Sequence, residues 1–199
     1  VFKVSILGAP CSGKTLFASR LCSFDLLTPT ATPEQLSTQC FVPQLQTAFK
    51  VDISLRSQSS FAHVYIIVYD VTSRSSFSEC KRIVHHLLKK RSCDTPILIV
   101  GNKIDQQKTV RLEHVQQHIE RIGVQNYSLS EVSALSYIGV EESLQKALLL
   151  AKRVQDKKNE AKEKDALMKA KSIQSVSDRS LENRGCRVKE SKQRSCLVM

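Results

Sequence analysis

The chain has 199 residues, 41% of them hydrophobic, which suits one domain with an ordinary core. Of its net charge of +11, the 14 basic and 7 acidic residues in 152–199 supply +7, which leaves +4 (11 − 7) for the rest. A basic tail without aromatic residues argues against a nucleic-acid-binding protein, and no apolar run approaches the roughly 20 residues of a membrane span. The seven cysteines lack the spacing of a zinc site or disulfide framework and are expected to be reduced.

Apolar segments with strand character alternate along the chain with helical patterns. The strands are FKVSIL, AFKVDISL, VYIIVYDV, PILIVGNK and YSLSEVSA, and apolar residues recur at helical spacing over 14–23, 76–91, 110–122 and 140–154. This alternation predicts an α/β fold, a mostly parallel six-stranded sheet flanked by helices. The sixth strand is QCFVPQLQ, and its Pro43 predicts an edge position because proline cannot donate to a strand ladder.

The segment GAPCSGKT, residues 8–15, lies between the first strand and the first helix. Such a loop binds phosphates when glycines let the backbone curl, a lysine reaches the oxygens and a hydroxyl holds magnesium. A plain strand-to-helix turn is the alternative, and Pro10 removes one N–H donor. Cys11 is a candidate redox-sensitive thiol beside a nucleotide. The predicted phosphate-binding residues are Gly8, Ala9, Pro10, Cys11, Ser12, Gly13, Lys14 and Thr15, with Thr15 also a metal ligand.

Two later segments, GNKID and EVSA, form an ordered set of motifs with the phosphate loop. GNKID follows the strand ILIVG, where ligands dock in open parallel sheets, and EVSA follows the next strand. A phosphate loop, then NKxD, then SA resembles the small GTPases of the Ras superfamily, and VYDVTSRSSF resembles the fourth strand and following helix of Ras and Rab types. The resemblance covers residues 2–154. It implies a P-loop NTPase small G-domain that binds GDP or GTP with Mg²⁺.

The resemblance also implies a guanine pocket. Asp105 would accept hydrogen bonds from the guanine N–H groups and so select guanine over adenine, while the two residues at the start of NKxD brace the loop and pack on the base. The backbone N–H of Ala134 would contact the guanine oxygen. Leu135 stands where the family has a lysine, which weakens one wall of the pocket. The residues predicted to bind guanine are Asn102, Lys103, Asp105, Ser133, Ala134 and Leu135.

One element of the family is missing. Small GTPases carry DxxG directly after the third strand, with an Asp that reaches magnesium through water and a Gly that contacts the third phosphate. Here RSQSSFAH, residues 56–63, follows that strand. A crossover normally takes a dozen or more residues, and eight residues cover the required distance of about 20 Å only when nearly extended. We therefore predict that the second switch helix is absent or shortened, that one sheet face is partly bare, and that no residue is catalytic.

The first switch also departs from the family, which has a threonine after a proline to close over magnesium. The segment TPTATPEQ offers Thr32 as the best candidate ligand and Thr30 as the second, and the alternative is that neither binds metal. We expect a weakened Mg²⁺ site and slow GTP hydrolysis.

The last four residues, CLVM, have the pattern of farnesylation at Cys196. One lipid anchors weakly, and basic residues supply a second signal for an anionic membrane. Cys186 is a candidate palmitoylation site or a spare thiol. We predict a G domain over 1–154, a helical extension over 155–171 and a disordered polybasic tail over 172–199. The nearby basic residues are Arg184, Arg187, Lys189, Lys192 and Arg194.

These features predict a membrane-tethered GDP/GTP switch with weak or lost hydrolysis. We expect a monomer at the cytoplasmic face of the plasma membrane or an endomembrane, with protein regulators that the sequence does not identify. The alternative is a pseudo-GTPase scaffold with structural nucleotide or none. A truncated splice product of an ordinary GTPase would also explain the short crossover.

Overall fold

A computed structural model describes residues 1–22, 35–55, 61–91 and 94–193. The strands are β1 (Phe2–Gly8), β2 (Gln35–Val42), β3 (Thr47–Ser54), β4 (Val64–Asp70), β5 (Ile97–Asn102) and β6 (Tyr127–Val132). The helices are α1 (Lys14–Leu21), α2 (Arg74–Lys90), α3 (Leu112–Arg121) and α4 (Val140–Gln193). The strands form one sheet in the order β2-β3-β1-β4-β5-β6, in which only the β2–β3 pair is antiparallel. The predicted α/β fold is confirmed.

The centre of the sheet is covered on both faces, and successive side chains of a strand point to opposite faces. The partly bare face predicted next to the short crossover stays a prediction. Strand β4 is buried at every position. Val64, Ile66 and Val68 belong to a cluster that includes residues of α1 and α4, whereas Ile67 and Tyr69 belong to a second cluster with residues of α2 and α3. A continuous apolar strand is therefore what this central position requires.

The edge position predicted for the proline-containing strand is confirmed, but its bounds were wrong. Strand β2 ends at Val42, and Pro43–Leu45 forms a 3-10 turn that leads into β3. Proline cannot donate the next ladder hydrogen bond, so the strand ends before it and the chain reverses. The turn closes with Gln46 in the left-handed region, at φ 47°.

The crossover from β3 to β4 is easier to close than the sequence suggested. Val4 of β1 lies opposite both Ile53 of β3 and Val64 of β4. The chain therefore returns by only a short distance along the strands, rather than by a whole strand length, and need not be extended. Leu55 and residues 61–63, the described part of this connection, contain no helix. The missing switch helix stays a prediction.

The chain forms two compact units, Val1–Val154 and Gln155–Met199. The first holds the sheet, and the second holds the later part of α4, which is helical to Gln193. This differs from the disorder predicted from Ser172. No proline interrupts the stretch, and pairs such as Glu160 with Lys164 favour a helix. No helix in the described part of the chain is long and apolar enough to cross a membrane.

Candidate functional site

The predicted site residues gather at one edge of the sheet. The loop of residues 8–15 joins β1 to α1, the NKID segment begins at the last residue of β5, and Ser133 follows β6 directly. These are the carboxyl ends of parallel strands, where ligands bind in open α/β sheets. Thr30, Thr32 and Cys196 lie outside the described residues, and Cys186 lies within α4.

The two glycines of the phosphate loop are required by close backbone approaches. A Cβ at Gly8 would lie 2.2 Å from the carbonyl oxygen of Val68, and one at Gly13 would lie 2.3 Å from Asn102 Nδ2. Gly13 also adopts φ 83°, in the left-handed region that favours glycine. Any larger residue would push the loop off the sheet edge. The loop therefore has the tight curl that a phosphate cradle needs.

Hydrogen-bond donors face the space inside this loop. Gly13 caps α1 without a side-chain hydrogen bond, so the first N–H groups of the helix keep their capacity to bind an anion. Lys14 Nζ donates to the carbonyl oxygen of Ala9 at 3.1 Å, which folds the ammonium back over the loop. The hydroxyl of Ser12 is buried and has no hydrogen-bond partner within the described chain. These features fit a bound phosphate group.

The loop differs from an all-glycine cradle at two exposed positions. Pro10 has no N–H to offer, and Cys11 adopts φ 59°, which is uncommon for a residue with a side chain. The Cys11 thiol is free and exposed. A cavity of about 580 Å³ adjoins this part of the loop and is bounded by Asp70, Glu79 and serines of α2 and its N-terminal turn.

Asn102 connects the three motifs. Its Nδ2 donates to the carbonyl oxygen of Ser12 at 3.0 Å, and its Oδ1 accepts from the backbone N–H of Ala134 at 3.0 Å. The side chain is almost fully buried, at 2% exposure. Asn102 therefore braces the phosphate loop, as the resemblance implies. The Ala134 N–H, which the resemblance assigns to guanine, is donated to Asn102 in this structure.

Lys103 makes a contact that the sequence did not suggest. Its Nζ lies 2.6 Å from Oδ2 of Asp70, the last residue of β4. Burial alone would raise the pKa of the Asp70 carboxyl, but hydrogen bonds from Lys103 and Thr72 outweigh it and lower that pKa. The signal in the sequence was an aspartate at the end of the buried strand VYIIVYD. Sequence reasoning used that stretch only for the family resemblance.

The SA segment forms a braced turn beside Asp105. Ser133 exchanges two backbone hydrogen bonds of 3.0 Å with Ile138, and its hydroxyl donates to Asp105 Oδ1 and accepts from the backbone N–H of Ser136. Asp105 is exposed and held by this contact, so its carboxylate has a fixed direction. Leu135 is 66% exposed at the tip of the turn. The arrangement places an acceptor carboxylate and an apolar side chain on one side of the site.

A second cavity opens between the phosphate loop, the residue after β3 and helix α2. Leu55, the residue directly after β3, lines a cavity of about 540 Å³ together with Gly8, Lys14 and residues of α2. In the described residues no group of three or more His, Cys, Asp and Glu side chains could hold a metal ion. Thr15 contributes a partly buried hydroxyl to the site.

Comparisons with known proteins agree with this geometry. The Ras-like protein rasW of Dictyostelium discoideum is 30% identical over 138 residues, which cover 68% of this chain and 62% of rasW. The Ras-related protein Rab-21 of Mus musculus is 29% identical over 166 residues, which cover 71% of this chain and 68% of Rab-21. The Ras-related protein RABA3 of Arabidopsis thaliana is 28% identical over 157 residues, covering 72% and 65%. The chain thus spans 62% to 68% of these relatives.

The model of the Ras family matches residues 3–153, well over half of the 199 residues and nearly all of the first compact unit. The match includes the phosphate loop, the NKID segment and the SA turn. On this match, and on the sheet order and site geometry that accompany it, the chain belongs to the Ras family of small GTPases.

Proposed function

We propose that this protein binds GDP and GTP at the described sheet edge and hydrolyses GTP weakly or not at all. The binding half of the proposal is supported by the braced loop. Gly8 and Gly13 leave room for phosphates, Lys14 and the start of α1 supply positive charge, and the Asp105 carboxylate offers an acceptor for the guanine N–H groups. Together these groups match a nucleoside diphosphate or triphosphate.

The hydrolysis half of the proposal depends mainly on Leu55. Phosphoryl transfer to water needs a positioned water and groups that neutralise developing charge, and Mg²⁺, when bound, supplies part of that neutralisation. Leu55 lines the same cavity as Lys14 and Gly8, and it stands directly after β3, where the resemblance requires a carboxylate. An apolar side chain cannot hold a metal-bound water. Thr15 is the described hydroxyl available to the metal, so we propose a weakened Mg²⁺ site and slow turnover.

One experiment tests both halves. Purified full-length protein is loaded with GTP labelled on the third phosphate, and its single-turnover hydrolysis is followed while unlabelled ATP or GTP competes for the site. We expect GTP but not ATP to displace the label, and release of phosphate to be slow. Asp105→Asn should weaken guanine binding with the fold intact, because a neutral amide replaces a charged acceptor. Equal displacement by ATP would refute the guanine pocket, and ordinary turnover would refute the loss of hydrolysis.

A pseudo-GTPase scaffold is the second candidate. One observation favours it: the Ala134 N–H and the Lys14 ammonium both find partners inside the protein, at Asn102 and Ala9. A site that satisfies its own donors can stay folded without a ligand. Nucleotide analysis of the purified protein separates the two candidates, since a scaffold without nucleotide would carry neither GDP nor GTP.

We further propose that the protein acts at the cytoplasmic face of the plasma membrane or an endomembrane, as a monomer. The CLVM terminus and the five basic residues before it support a farnesyl anchor with electrostatic attraction to anionic lipid.

A further inference from the structure

The Asp70 carboxylate is held rigidly on one side. Its Oδ1 accepts hydrogen bonds from the Thr72 backbone N–H at 2.8 Å and from Thr72 Oγ1 at 2.7 Å. The Asp70 backbone is fixed as well, within 3.0 Å of the Ser76 hydroxyl. The side chain is only 10% exposed. Its second oxygen, Oδ2, is therefore presented in one direction, towards the end of β5.

Lys103 occupies that direction. Its ammonium lies 2.6 Å from Asp70 Oδ2, and its side chain remains 31% exposed. Lys103 adopts φ 70°, a left-handed conformation that is strained for a residue with a side chain. The preceding residue is tied to β4, because the Val71 N–H donates to the carbonyl oxygen of Asn102 at 3.0 Å. The ion pair and this backbone bond together keep the Lys103 side chain lying across the ends of β5 and β4.

The Lys103 ammonium therefore ends at Asp70, beside the phosphate loop. Asp70 bounds the same cavity as Ala9, Pro10 and Cys11. Lys103 directly follows Asn102, whose amide donates to the carbonyl oxygen of Ser12 in the phosphate loop, and its ammonium ends at Asp70. The Lys103 side chain therefore starts and ends next to residues that contact or adjoin the loop. A side chain held there in advance loses no rotamer entropy when a ligand packs on it.

We propose that Asp70 is a positioning residue for nucleotide binding, which acts through Lys103. The inference rests on the proposed function. With the ammonium fixed by Asp70, the alkyl chain of Lys103 forms a ready wall for the nucleoside, and the complex dissociates slowly. Without the carboxylate, the lysine becomes mobile and the nucleotide leaves faster.

The test measures dissociation of a fluorescent GDP analogue from the full-length protein. Asp70→Asn preserves the size of the side chain and an oxygen for Thr72 but removes the charge. We expect its dissociation rate to rise about fivefold, the upper end of the change measured for single ion pairs near a protein surface. The matched control is Glu131→Gln, because Glu131, on β6, pairs through Oε2 with Lys108 Nζ at 2.7 Å. Glu131→Gln should leave the dissociation rate within about twofold of the parent's, since Lys108, the partner of Glu131, is not one of the proposed nucleotide-binding residues.

A double-mutant cycle separates positioning from a general effect on the fold. In a Lys103→Met background, Asp70→Asn should add nothing to the dissociation rate, because the group it positions is already gone. An equal increase in both backgrounds would show that Asp70 acts on the fold and would overturn the inference. If Asp70→Asn does not fold, Thr72→Val removes one hydrogen bond to Oδ1 without changing charge. That variant should speed dissociation by a smaller factor, and an unchanged rate would overturn the inference.

The same assay keeps the inference distinct from the proposed function. A parent protein that does not bind the GDP analogue would refute the proposed function and the inference with it. A parent that binds normally, with Asp70→Asn indistinguishable from it, would refute the inference alone.

Discussion

Asn102 holds two loops of the site together, in addition to any contact with the base. Its one amide group satisfies a carbonyl of the phosphate loop and an N–H of the SA turn, at 3.0 Å each. Both partners belong to residues that are themselves buried, Ser12 at 0% and Ala134 at 1% exposure. Because buried backbone groups need partners, the side chain fixes the spacing between two loops that are far apart in sequence.

Removing that amide should be costly. Asn102→Ala leaves the Ser12 carbonyl and the Ala134 N–H without this partner, and an unsatisfied buried group costs about 1–3 kcal/mol. We expect the free energy of unfolding, measured by urea denaturation of nucleotide-free protein, to fall by about that amount. The control is Asn126→Ala, whose amide donates to the Asp94 carbonyl at 3.2 Å in a half-buried loop and should cost about half as much or less. A loss no larger than the control's would contradict the bracing role of Asn102.

Cys11 and Pro10 mark the residues where the loop departs from the family. The φ of 59° at Cys11 is a conformation that glycine adopts without strain, so a glycine there should be at least as compatible with the loop. The chain has kept a side chain at this exposed position, and nothing in the structure explains the choice.

At the scale of elements, a histidine of α3 packs against two aromatic rings of α2. The His118 ring of α3 lies 6.1 Å from the Phe77 ring and 6.2 Å from the His85 ring, both on α2. Burial, followed by the positive charges of Lys81, His85 and Arg121, lowers the pKa of His118 below 6.5. Its Nε2 is buried and lacks a hydrogen-bond partner in the described residues. Both the burial and the neighbouring positive charges therefore disfavour the protonated imidazole at this contact.

This predicts a stability that depends on pH. Because the pKa of His118 is lower in the folded state, the unfolded state binds more protons, and stability is lost as pH falls from about 6.5 through the folded-state pKa. His118→Phe keeps an aromatic ring and removes the proton site, so the slope of unfolding free energy between pH 7 and 5 should become shallower. It should not vanish, since burial and Lys3 lower the pKa of His63 as well. Urea denaturation across this range provides the measurement.

His114→Phe, the same substitution at an exposed position on the same helix, is the control, and the slope of His118→Phe should be shallower than that of His114→Phe. A parental slope in His118→Phe would show that the pH dependence arises elsewhere.

The sequence predicted those elements in which the pattern of apolar residues follows directly from how the element is buried. Strand β4 is buried throughout and α2 is amphipathic, so both were placed within two residues of their observed ends. Helix α2 begins after Ser73, whose hydroxyl accepts from the Ser76 N–H at 3.2 Å. The bounds of β2 failed because Pro43 was assigned to the strand it terminates. A local pattern does not show where a hairpin turns.

The site was predictable wherever a motif names its residues, and not where two strands bring side chains together. The phosphate loop, Asn102 and Asp105 could be named from short motifs. The Asp70–Lys103 pair could not, since 33 positions separate the partners and only the parallel pairing of β4 with β5 makes them neighbours. The distance that the short crossover has to span was also overestimated. It depends on the register of β3 and β4 against β1, which only the folded sheet shows.

At the scale of the whole molecule, charge and chemistry are divided between the two compact units. The sheet and the nucleotide site lie in Val1–Val154, while Gln155–Met199, with 12 basic and 7 acidic residues, holds +5 (12 − 7) of the net charge of +11. The described site residues lie in the first unit. The composition of the second unit suits the surface of an anionic membrane, where each basic residue contributes about 1 kcal/mol.

The tail therefore predicts how the protein distributes in cells. Cys196→Ser should release a fluorescently tagged full-length protein from membranes into the cytosol, because the proposed farnesyl group would supply most of the apolar burial and basic residues alone bind weakly. Neutralising the five basic residues while keeping Cys196 should give partial release, and added salt should mimic that effect on isolated membranes because it screens the attraction. The residues to neutralise are Arg184, Arg187, Lys189, Lys192 and Arg194.

Cys186→Ser is the matched control, since it removes a thiol from the same tail but leaves CLVM intact. If Cys186 is a spare thiol, this variant should stay on membranes; if it carries a palmitate, release should be intermediate, because two lipids bind far more stably than one. Cys196→Ser therefore has to release more protein than Cys186→Ser. Unchanged membrane localisation of Cys196→Ser would show that no lipid at this position holds the protein, and the tether would then have to lie in the G domain or in a partner.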